Sequence, residues 1–362
     1  MVERLVLGNP MDGRRKVPAP GSRTGAAWKG LLPVGVAAGV ALVIGGGVDV
    51  VHHRQRAEKS EHAAKPAAKS MRTTPRYVVG VRGQGSALVV RDLRDGDDVG
   101  LPVAAPQGRR FQRISAAKNG TYVVSSYAAR KVTFQRLELG KNGHPKDLEE
   151  IPRATVPGVS TPYSDLAVNP DGDRIAYVTY RGTASRVDVV SARTGARKAW
   201  TTKRPGRVGG LSWAGDILGF VWNPLPPPGG RPAGGATAGG ATRKAGGIRY
   251  QMRTLDTRLP SGDLKVSKVA LNLPPGVTTA VLSRDGRTVI AGLARNAQIS
   301  LQAYAIGTRR PIKVVARQRS TGRVARLDAD HTGGHLLVSS SDGRLYAEGA
   351  ALPAGDLADA AW

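Results

Sequence analysis

The stretch Asp165–Thr202, DLAVNPDGDRIAYVTYRGTASRVDVVSARTGARKAWTT, is the clearest copy of a strand-and-turn pattern that recurs along the chain. It opens with the short apolar run Leu166–Val168 and continues into an Asn-Pro-Asp-Gly turn. In such a turn Pro170 presets φ, Asp171 bonds its own backbone, and Gly172 accepts a positive φ. The turn therefore predicts two antiparallel strands, one on each side of it.

Three β-rich runs follow this turn, separated by further turn residues: Arg174–Tyr180, Arg186–Ser191 and Arg197–Thr201. The same order of runs and turns recurs along the chain, in copies that begin near residues 114, 166, 211, 280 and 324. A spacing of about 45–50 residues is close to the length of one four-stranded propeller blade. No amphipathic helical pattern persists after residue 76, so the sequence predicts an all-β fold.

The two ends of the repeat region supply one further blade. Tyr77–Val81 and Ala87–Arg91 resemble the second and third strands of a repeat whose first strand is missing upstream. Leu357–Trp362 (LADAAW) resembles a lone first strand. If these last residues pair with the first blade, the ring closes without an exposed sheet edge. We therefore predict a six-bladed β-propeller over residues 76–362, with seven blades as the alternative.

The turns resemble those of a known repeat family. Asn169–Tyr177 (NPDGDRIAY) is similar to the WD-repeat-like pattern of Tol-type propellers, and Ser283–Arg287 (SRDGR) is a looser match. In its layout the chain is similar to membrane-anchored WD-repeat-like β-propeller proteins of high-GC Gram-positive bacteria. The resemblance implies an architecture and a location, and it brings no activity or site residues with it.

The chain has 362 residues and a net charge of +27, from 54 Lys and Arg against 27 Asp and Glu. Such a charge raises the local concentration of polyanions, whether nucleic acid, anionic lipid or anionic cell-wall polymer. The basic residues are scattered through strands and turns without a compact basic block, which favours a solvated basic surface over a specific nucleic-acid site. The absence of cysteine excludes a disulfide-stapled module and cysteine-bound metals.

An uncharged run of 19 residues, Gly30–Val48, lies near the N-terminus. At about 1.5 Å per residue it reaches about 28 Å, the thickness of a bilayer's hydrocarbon core. The sequence predicts a single-pass transmembrane helix over 30–51, after a short basic tail over 1–29; a cleaved signal peptide is the alternative. Gly35 and Gly39 have the GxxxG spacing that lets two helices approach, so a weak homodimer is a further hypothesis.

Residues 52–75 are rich in Ala, Lys and Pro and predict a charged, flexible stalk between helix and propeller. Basic residues flank the apolar run almost equally, so charge says little about orientation. A short tail without a domain of its own favours an N-terminus in the cytoplasm and a propeller outside it. Residues 223–247 (NPLPPPGGRPAGGATAGGATRKAGG) interrupt one blade and predict a disordered Gly/Pro-rich insertion.

Two groups of residues have the composition of a metal site. His331 and His335 are four residues apart, but Thr-Gly-Gly between them indicates a turn rather than a helical ligand pair. Four acidic residues between Arg91 and Val99 could hold calcium, yet interleaved arginines and the lack of an EF-hand loop favour a strand-to-strand turn; they are Asp92, Asp95, Asp97 and Asp98. We predict neither a metal site nor a cofactor.

Catalytic signatures are weak. Gly210–Ala214 (GLSWA) approaches G-x-S-x-G but lacks the last glycine. Gly83-Gln84-Gly85 lacks the following glycine and helix of a dinucleotide loop. The predicted inner strands offer one polar side chain each toward a central channel, namely Ser115, Asp165, Ser212, Thr279, Arg326 and Asp359. Two carboxylates and an arginine are a poor set for a divalent metal.

The sequence therefore favours a membrane-anchored protein- or polymer-binding scaffold without catalysis. It predicts no catalytic residue, and its partners would be the lipid bilayer and an unidentified protein or anionic polymer. A metal-dependent propeller hydrolase or lactonase is the first alternative. A binder of anionic cell-wall polymer is the second.

Overall fold

The computed structural model describes residues 75–225, 250–330, 333–347, 350–352 and 356–362, which form six antiparallel sheets around a central axis. From the innermost strand outward, the first three blades are blade 1 with β25 (Asp359–Ala361), β1 (Tyr77–Arg82), β2 (Ala87–Asp92) and β3 (Val103–Ala104); blade 2 with β4 (Arg110–Ala116), β5 (Thr121–Ala128), β6 (Lys131–Leu139) and β7 (Pro145–Pro157); and blade 3 with β8 (Leu166–Val168), β9 (Arg174–Arg181), β10 (Ala184–Ser191) and β11 (Arg197–Thr201).

The other three blades repeat this arrangement. They are blade 4 with β12 (Gly206–Ala214), β13 (Ile217–Pro224), β14 (Gln251–Asp256) and β16 (Lys268–Asn272); blade 5 with β17 (Val277–Leu282), β18 (Thr288–Arg295), β19 (Gln298–Ala305) and β20 (Lys313–Arg319); and blade 6 with β21 (Val324–Ala329), β22 (Leu336–Ser340), β23 (Leu345–Ala347) and β24 (Ala350–Leu352). The predicted all-β propeller is confirmed, with six blades rather than seven.

The ring closes as the sequence predicts. The last strand, β25, pairs antiparallel with β1, in the register Val79 with Ala361 and Val81 with Asp359. Leu357 packs directly over Gly80, so that a Cβ at Gly80 would lie 2.4 Å from its Cδ1. The C-terminus thus supplies the innermost strand of blade 1, and the exposed edge that an open ring would leave at β1 is covered.

The Asn-Pro-Asp-Gly turn forms, with one difference from the prediction. Gly172 adopts φ +75° and its N–H donates to the Asn169 carbonyl at 2.9 Å. The side chain that bonds the local backbone is that of Asn169, which accepts from the Arg174 N–H at 2.9 Å. Asp171 instead pairs with Lys118 of blade 2 at 2.9 Å, because the turn of blade 3 lies beside the one of blade 2. The prediction for Asp171 was therefore wrong.

Apolar side chains on facing sheets form the core between neighbouring blades. Between blades 3 and 4 the core contains Trp200, Trp213 and Phe220. Between blades 2 and 3 the rings of Phe134 and Tyr177 meet edge to face at 5.6 Å. A large apolar side chain buried in this way contributes about 1.5–3 kcal/mol, so each blade is stabilised mainly by its neighbours.

Innermost strands of four blades contain a β-bulge that the sequence pattern does not predict. The register shifts lie between Phe111 and Arg113 in β4, Gly209 and Ser212 in β12, Val277 and Thr279 in β17, and Val324 and Arg326 in β21. A bulge inserts an extra residue and redirects the side chain that follows it. In blades 2 and 6 that side chain is an arginine pointing toward the axis.

Blade 4 departs from the repeat after its second strand, where the insertion was predicted. Strand β13 continues to Pro224, since Asn223 and Pro224 still pair with β12, so these two residues belong to the strand and not to the insertion. Residues 226–249 lie outside the described residues, as do the predicted tail, helix and, except for Pro75, the stalk. Within the described ranges, no helix has the length and apolar character needed to cross a membrane. A short strand, β15 (Gly262–Asp263), pairs in parallel with β11 and gives blade 3 a fifth strand.

Deleting Leu357–Trp362 should destabilise the whole propeller. The deletion exposes the edge of β1 and removes Asp359, so we expect an insoluble protein or a melting temperature at least about 10 °C lower, at roughly 2–4 °C per kcal/mol. Thermal unfolding followed by circular dichroism measures the change. A soluble, equally thermostable truncation would contradict closure by this strand.

Two single glycine substitutions separate loss of closure from a general effect of truncation. Gly80→Ala forces the new methyl against Leu357 and should cost about 1–3 kcal/mol. Gly209→Ala makes the same change in β12 where no atom lies within 4 Å, and its unfolding midpoint should stay within about 0.5 kcal/mol of the parent. Equal effects of the two would argue against tight packing at the closure.

Candidate functional site

A ring of hydrogen bonds joins the innermost strand of each blade to that of the next. In each case a polar side chain near the axis bonds the following blade. The six links are the Ile114 N–H to Asp359 at 2.8 Å, the Val168 N–H to Ser115 at 3.3 Å, the Leu211 N–H to Asp165 at 2.9 Å, the Leu282 N–H to Ser212 at 2.8 Å, the Thr278 hydroxyl to the Val324 carbonyl at 2.7 Å, and the Arg326 guanidinium to Asp359.

Arg326 occupies the centre of this ring. Its side chain is 10 % exposed, and its Nη1 donates to both carboxylate oxygens of Asp359, which is 1 % exposed. Its Nη2 donates to the carbonyls of Ile114 at 2.9 Å and Leu166 at 3.3 Å. One side chain of blade 6 therefore bonds blades 1, 2 and 3. The carboxylates around it raise the pKa of Arg326 further above its ordinary value despite burial, so it stays charged.

Both inner-strand carboxylates predicted from the sequence converge on this arginine. Asp165 lies 3.5 Å from the Arg326 Nε, and Arg113 approaches Asp359 at 3.6 Å. The cation that the two carboxylates share is thus a guanidinium supplied by the chain. A cavity of about 50 Å³ lies along the innermost strands, lined by residues that include Ser115, Ser212 and Asp328 but not the paired arginine and carboxylates, and it has room for a water molecule or two. The centre of the ring is accordingly a buried ion-pair network.

Asp328 is the one acidic side chain lining this cavity in the described part of the chain. Its Oδ2 is buried and has no hydrogen-bond partner among the described residues. Burial raises its pKa to about 7; Arg326 opposes the shift, while Asp359, Asp165 and Asp330 add to it. Burial, with a smaller contribution from Asp328, also raises the pKa of the Tyr122 phenol.

The remaining predicted channel residues serve packing and blade contact. Ser212, the central residue of the incomplete G-x-S-x-G, accepts its hydrogen bond from blade 5. Gly210, two residues before Ser212, adopts φ +60° within the bulge. A Cβ at this position would lie 2.5 Å from the Ala280 carbonyl oxygen. Thr279 is buried in β17. The glycine of this motif therefore permits close approach of two blades.

The acidic run after β2 faces arginines. Asp92 accepts from Arg76 at 2.7 Å, and Asp98 pairs with Arg91 at 2.9 Å. Asp95 accepts from the backbone N–H of Asp97 at 3.0 Å. The carboxylates are thereby directed to separate partners, as in a strand-to-strand turn.

His335 lies directly before β22, and His331 is outside the described residues. The His335 N–H donates to the Asp330 carboxylate at 3.0 Å, and its ring packs edge to face with Trp362 at 6.0 Å. Across the described ranges, no three His, Cys, Asp or Glu side chains are placed to hold a metal ion.

A larger cavity lies between the outer parts of blades 3 and 4, and the sequence analysis missed it. This blade 3–4 cleft has a volume of about 440 Å³. Among the described residues, its lining includes Trp222, one carboxylate, that of Asp263, and four cations, which are Lys203, Arg204, Arg253 and Lys265. These residues come from four separate segments, so no spacing in the sequence marks them. The adjacent pair Lys203-Arg204 in a short linker was the available signal.

Arg253 is the fixed cation of the cleft. It projects from β14 and is half-buried. It donates to the Ser267 hydroxyl at 2.8 Å, the Ser267 carbonyl at 2.6 Å and the Gln251 side-chain oxygen at 3.0 Å. No carboxylate of the described residues pairs with it, and burial lowers its pKa. The cleft therefore contains a positioned positive charge without an acidic partner.

Comparisons with known proteins find similar solved structures but no family. No protein-family model and no curated protein matches the chain. Among solved structures it is similar to TolB from Acinetobacter baumannii, with 14% identity, 79% of this chain and 65% of that chain covered, and a TM-score of 0.49. A functionally unknown protein from Desulfotomaculum acetoxidans shares 14% identity, with 79% and 98% covered and a TM-score of 0.46. A protein of unknown function from Bacteroides caccae shares 12% identity, with 80% and 98% covered and a TM-score of 0.44. The match to TolB thus spans slightly less than two thirds of that protein's length.

Replacing Arg326 should be among the most damaging single changes near the axis. Arg326→Met leaves Asp359 and Asp165 without their cation and should cost about 3–5 kcal/mol, as for other broken buried pairs. Urea unfolding of the purified protein measures this cost. The double variant Arg326→Met/Asp359→Asn should recover part of it, since the orphaned charge is removed.

The control for this prediction is Arg258→Met, an arginine that is 71% exposed and paired with Asp256 at the surface. Exposed pairs contribute at most about 1 kcal/mol. An Arg326→Met protein as stable as Arg258→Met would show that the axial network is not structural.

Asp328 should make the propeller less stable as pH rises from about 4 to about 7. In this window the folded state retains the Asp328 proton that the unfolded chain has lost. The contribution of Asp328 to the free energy of unfolding is therefore fully present below the unfolded pKa and is lost as pH rises to the folded pKa. Asp328→Asn removes this dependence and should gain on the parent by about 1–4 kcal/mol at neutral pH. The melting temperatures of the parent and of Asp328→Asn are compared at each pH in the window. Titrating groups that the two proteins share affect both alike, so they do not contribute to the difference. A constant difference across the window would contradict the shift.

Proposed function

We propose that this protein is a membrane-anchored β-propeller that binds a protein or polymer partner outside the cytoplasm and catalyses no reaction. The observation that carries the proposal is the axial network. Arg326 pairs with Asp359 and Asp165, and Arg113 adds a second positive charge beside Asp359, at the place where propeller enzymes need open coordination or nucleophilic groups. Binding is left to the outer surface of the blades, where antiparallel sheets present large and variable loops.

The location rests on the sequence. The run Gly30–Val48 is long enough for a bilayer span, and it would hold the propeller at the membrane through residues 52–75. We place the N-terminus in the cytoplasm and the propeller outside it. The Gly35 and Gly39 pair would allow weak dimerisation within the bilayer.

A metal-dependent hydrolase or lactonase is the rival function. Convergence of Asp165 and Asp359 from blades 3 and 1 is the feature that favours it. Against it, the guanidinium of Arg326 lies between these carboxylates. Divalent calcium requires six to eight oxygen ligands, more than this arrangement offers beside a fixed guanidinium.

A binder of anionic polymer is the second candidate, and two observations favour it. The chain carries a net charge of +27, and the blade 3–4 cleft has four cations against one carboxylate. Both would raise the local concentration of a polyanion at the surface of the blades. This candidate is a special case of the binding function and differs from it in the ligand.

The proposal is tested on intact cells and on the purified full-length protein. Protease added to intact cells should remove the propeller from the membrane fraction, whereas a protected propeller would contradict the location. The detergent-solubilised protein should not hydrolyse lactones or esters in the presence of calcium, manganese or zinc. Turnover that disappears in Asp359→Asn or Asp165→Asn, with the fold retained, would overturn the non-catalytic assignment.

A further inference from the structure

We propose that the blade 3–4 cleft is a binding site for an anionic sugar, in which Arg253 binds a phosphate or carboxylate group and Trp222 packs against the sugar ring. The inference names the ligand class of the binding function proposed above and rests on it. The volume of the cleft, about 440 Å³, falls in the range of ligand sites, roughly 300–1,000 Å³. The axial cavity is several times smaller.

Arg253 has donors left for an anion. A guanidinium carries five N–H groups, and bonds to Ser267 and Gln251 account for three of them. These partners also hold the fork in place from a strand and a short turn rather than from a free loop. A preorganised arginine loses little entropy on binding and can contact an anionic group through two parallel hydrogen bonds. This geometry suits a phosphate or carboxylate.

Trp222 supplies the apolar surface. Its indole is half-buried and packs against the backbone of Gly206, where a Cβ would lie 2.1 Å from the ring. The ring is thereby fixed in orientation while part of it borders the cleft. A rigid aromatic ring with one face covered is suited to stacking against a flat apolar face of a ligand.

The rim extends the positive charge beyond Arg253. Lys203 is 84% exposed and reaches Asp263 only at 3.7 Å. Arg204 and Lys265 make no ion pair within the described part of the chain. Such exposed cations attract a repeating anion over a Debye length and are screened by salt. They therefore favour a polymer of charged units over a single small anion.

The same surface fits a single-stranded nucleic acid less well. Nucleic-acid grooves stack successive bases on several aromatic side chains. Among the described residues, Trp222 is the one aromatic ring that borders the cleft with an exposed part, since Phe220 is completely buried. A charged saccharide needs one ring contact per site, which Trp222 alone can supply.

The test uses the full-length protein in uncharged detergent, with N-acetylglucosamine 1-phosphate as the probe. Binding is measured by calorimetry and by the ligand-dependent change in tryptophan fluorescence that is lost in Trp222→Leu, since the chain has five tryptophans. We expect the sugar phosphate to bind at least about tenfold more tightly than either N-acetylglucosamine or inorganic phosphate, because both contacts act together. Affinity should fall as salt rises from about 0.1 M to about 1 M.

Variants assign the contacts. Arg253→Gln should lower the affinity for the sugar phosphate about tenfold or more. Arg253→Lys should recover part of the loss, because it restores the charge without the two parallel N–H groups of the guanidinium. Trp222→Leu should lower the affinity for the sugar phosphate and leave the affinity for inorganic phosphate unchanged. Arg258→Gln, on the exposed turn after the same strand, is the matched control and should bind like the parent. Melting temperatures establish that each variant is folded.

Three outcomes overturn the inference. They are equal binding of the sugar phosphate by the parent and Arg253→Gln, absence of binding by the parent, and tighter binding of a single-stranded oligothymidylate that the same variants abolish. The last outcome would make the cleft a nucleic-acid site. Loss of the saccharide site alone would leave the proposed location and the absence of catalysis standing, because protease accessibility and the hydrolysis assays test these two parts independently.

Discussion

The ion pair between Arg326 and Asp359 joins blade 6 to the strand that closes blade 1, and the rest of the ring depends on it. A propeller has no covalent link between its first and last blades, so the closing contact must resist the separation of two chain ends. Here the closing strand carries the carboxylate, and the arginine that binds it also bonds Ile114 and Leu166 of two further blades. Closure and axial packing are therefore one network.

That network also determines where binding can occur. Near the axis, Arg326 and Arg113 are paired with Asp359 and Asp165, and Asp328, in a cavity of about 50 Å³, has a raised pKa. Between blades 3 and 4 the situation is reversed, because Arg253 is positioned by neutral partners and its charge is unmatched. The contrast explains why a chain with so many basic residues can have a neutralised centre and a cationic outer cleft.

Much of the fold could be predicted from local patterns. The turn at Asn169–Gly172 and its copies specify hairpins through residues that act on their own backbone, and the first-strand character of Leu357–Trp362 is visible in six residues. The role of Asp171 could not be predicted, since Lys118 reaches it from another blade. Bulges in the innermost strands escaped prediction too, because they arise from packing around the axis. Among the site residues, Asp165, Arg326 and Asp359 were recognised as inner-strand positions, but their pairing was not.

Local sequence patterns indicate the class of fold, favour six blades over seven, and identify the strand that closes the ring. These follow from the alternation of polarity and from turn residues, which act over a few positions. Only the tertiary structure decided that Arg326 lies between two carboxylates from distant blades, and that Lys203, Arg204, Arg253 and Lys265 line one cleft. The ring brings together residues that are separated by many strands. Whether a charged side chain is paired or left without a partner depends on these neighbours, which no local pattern identifies.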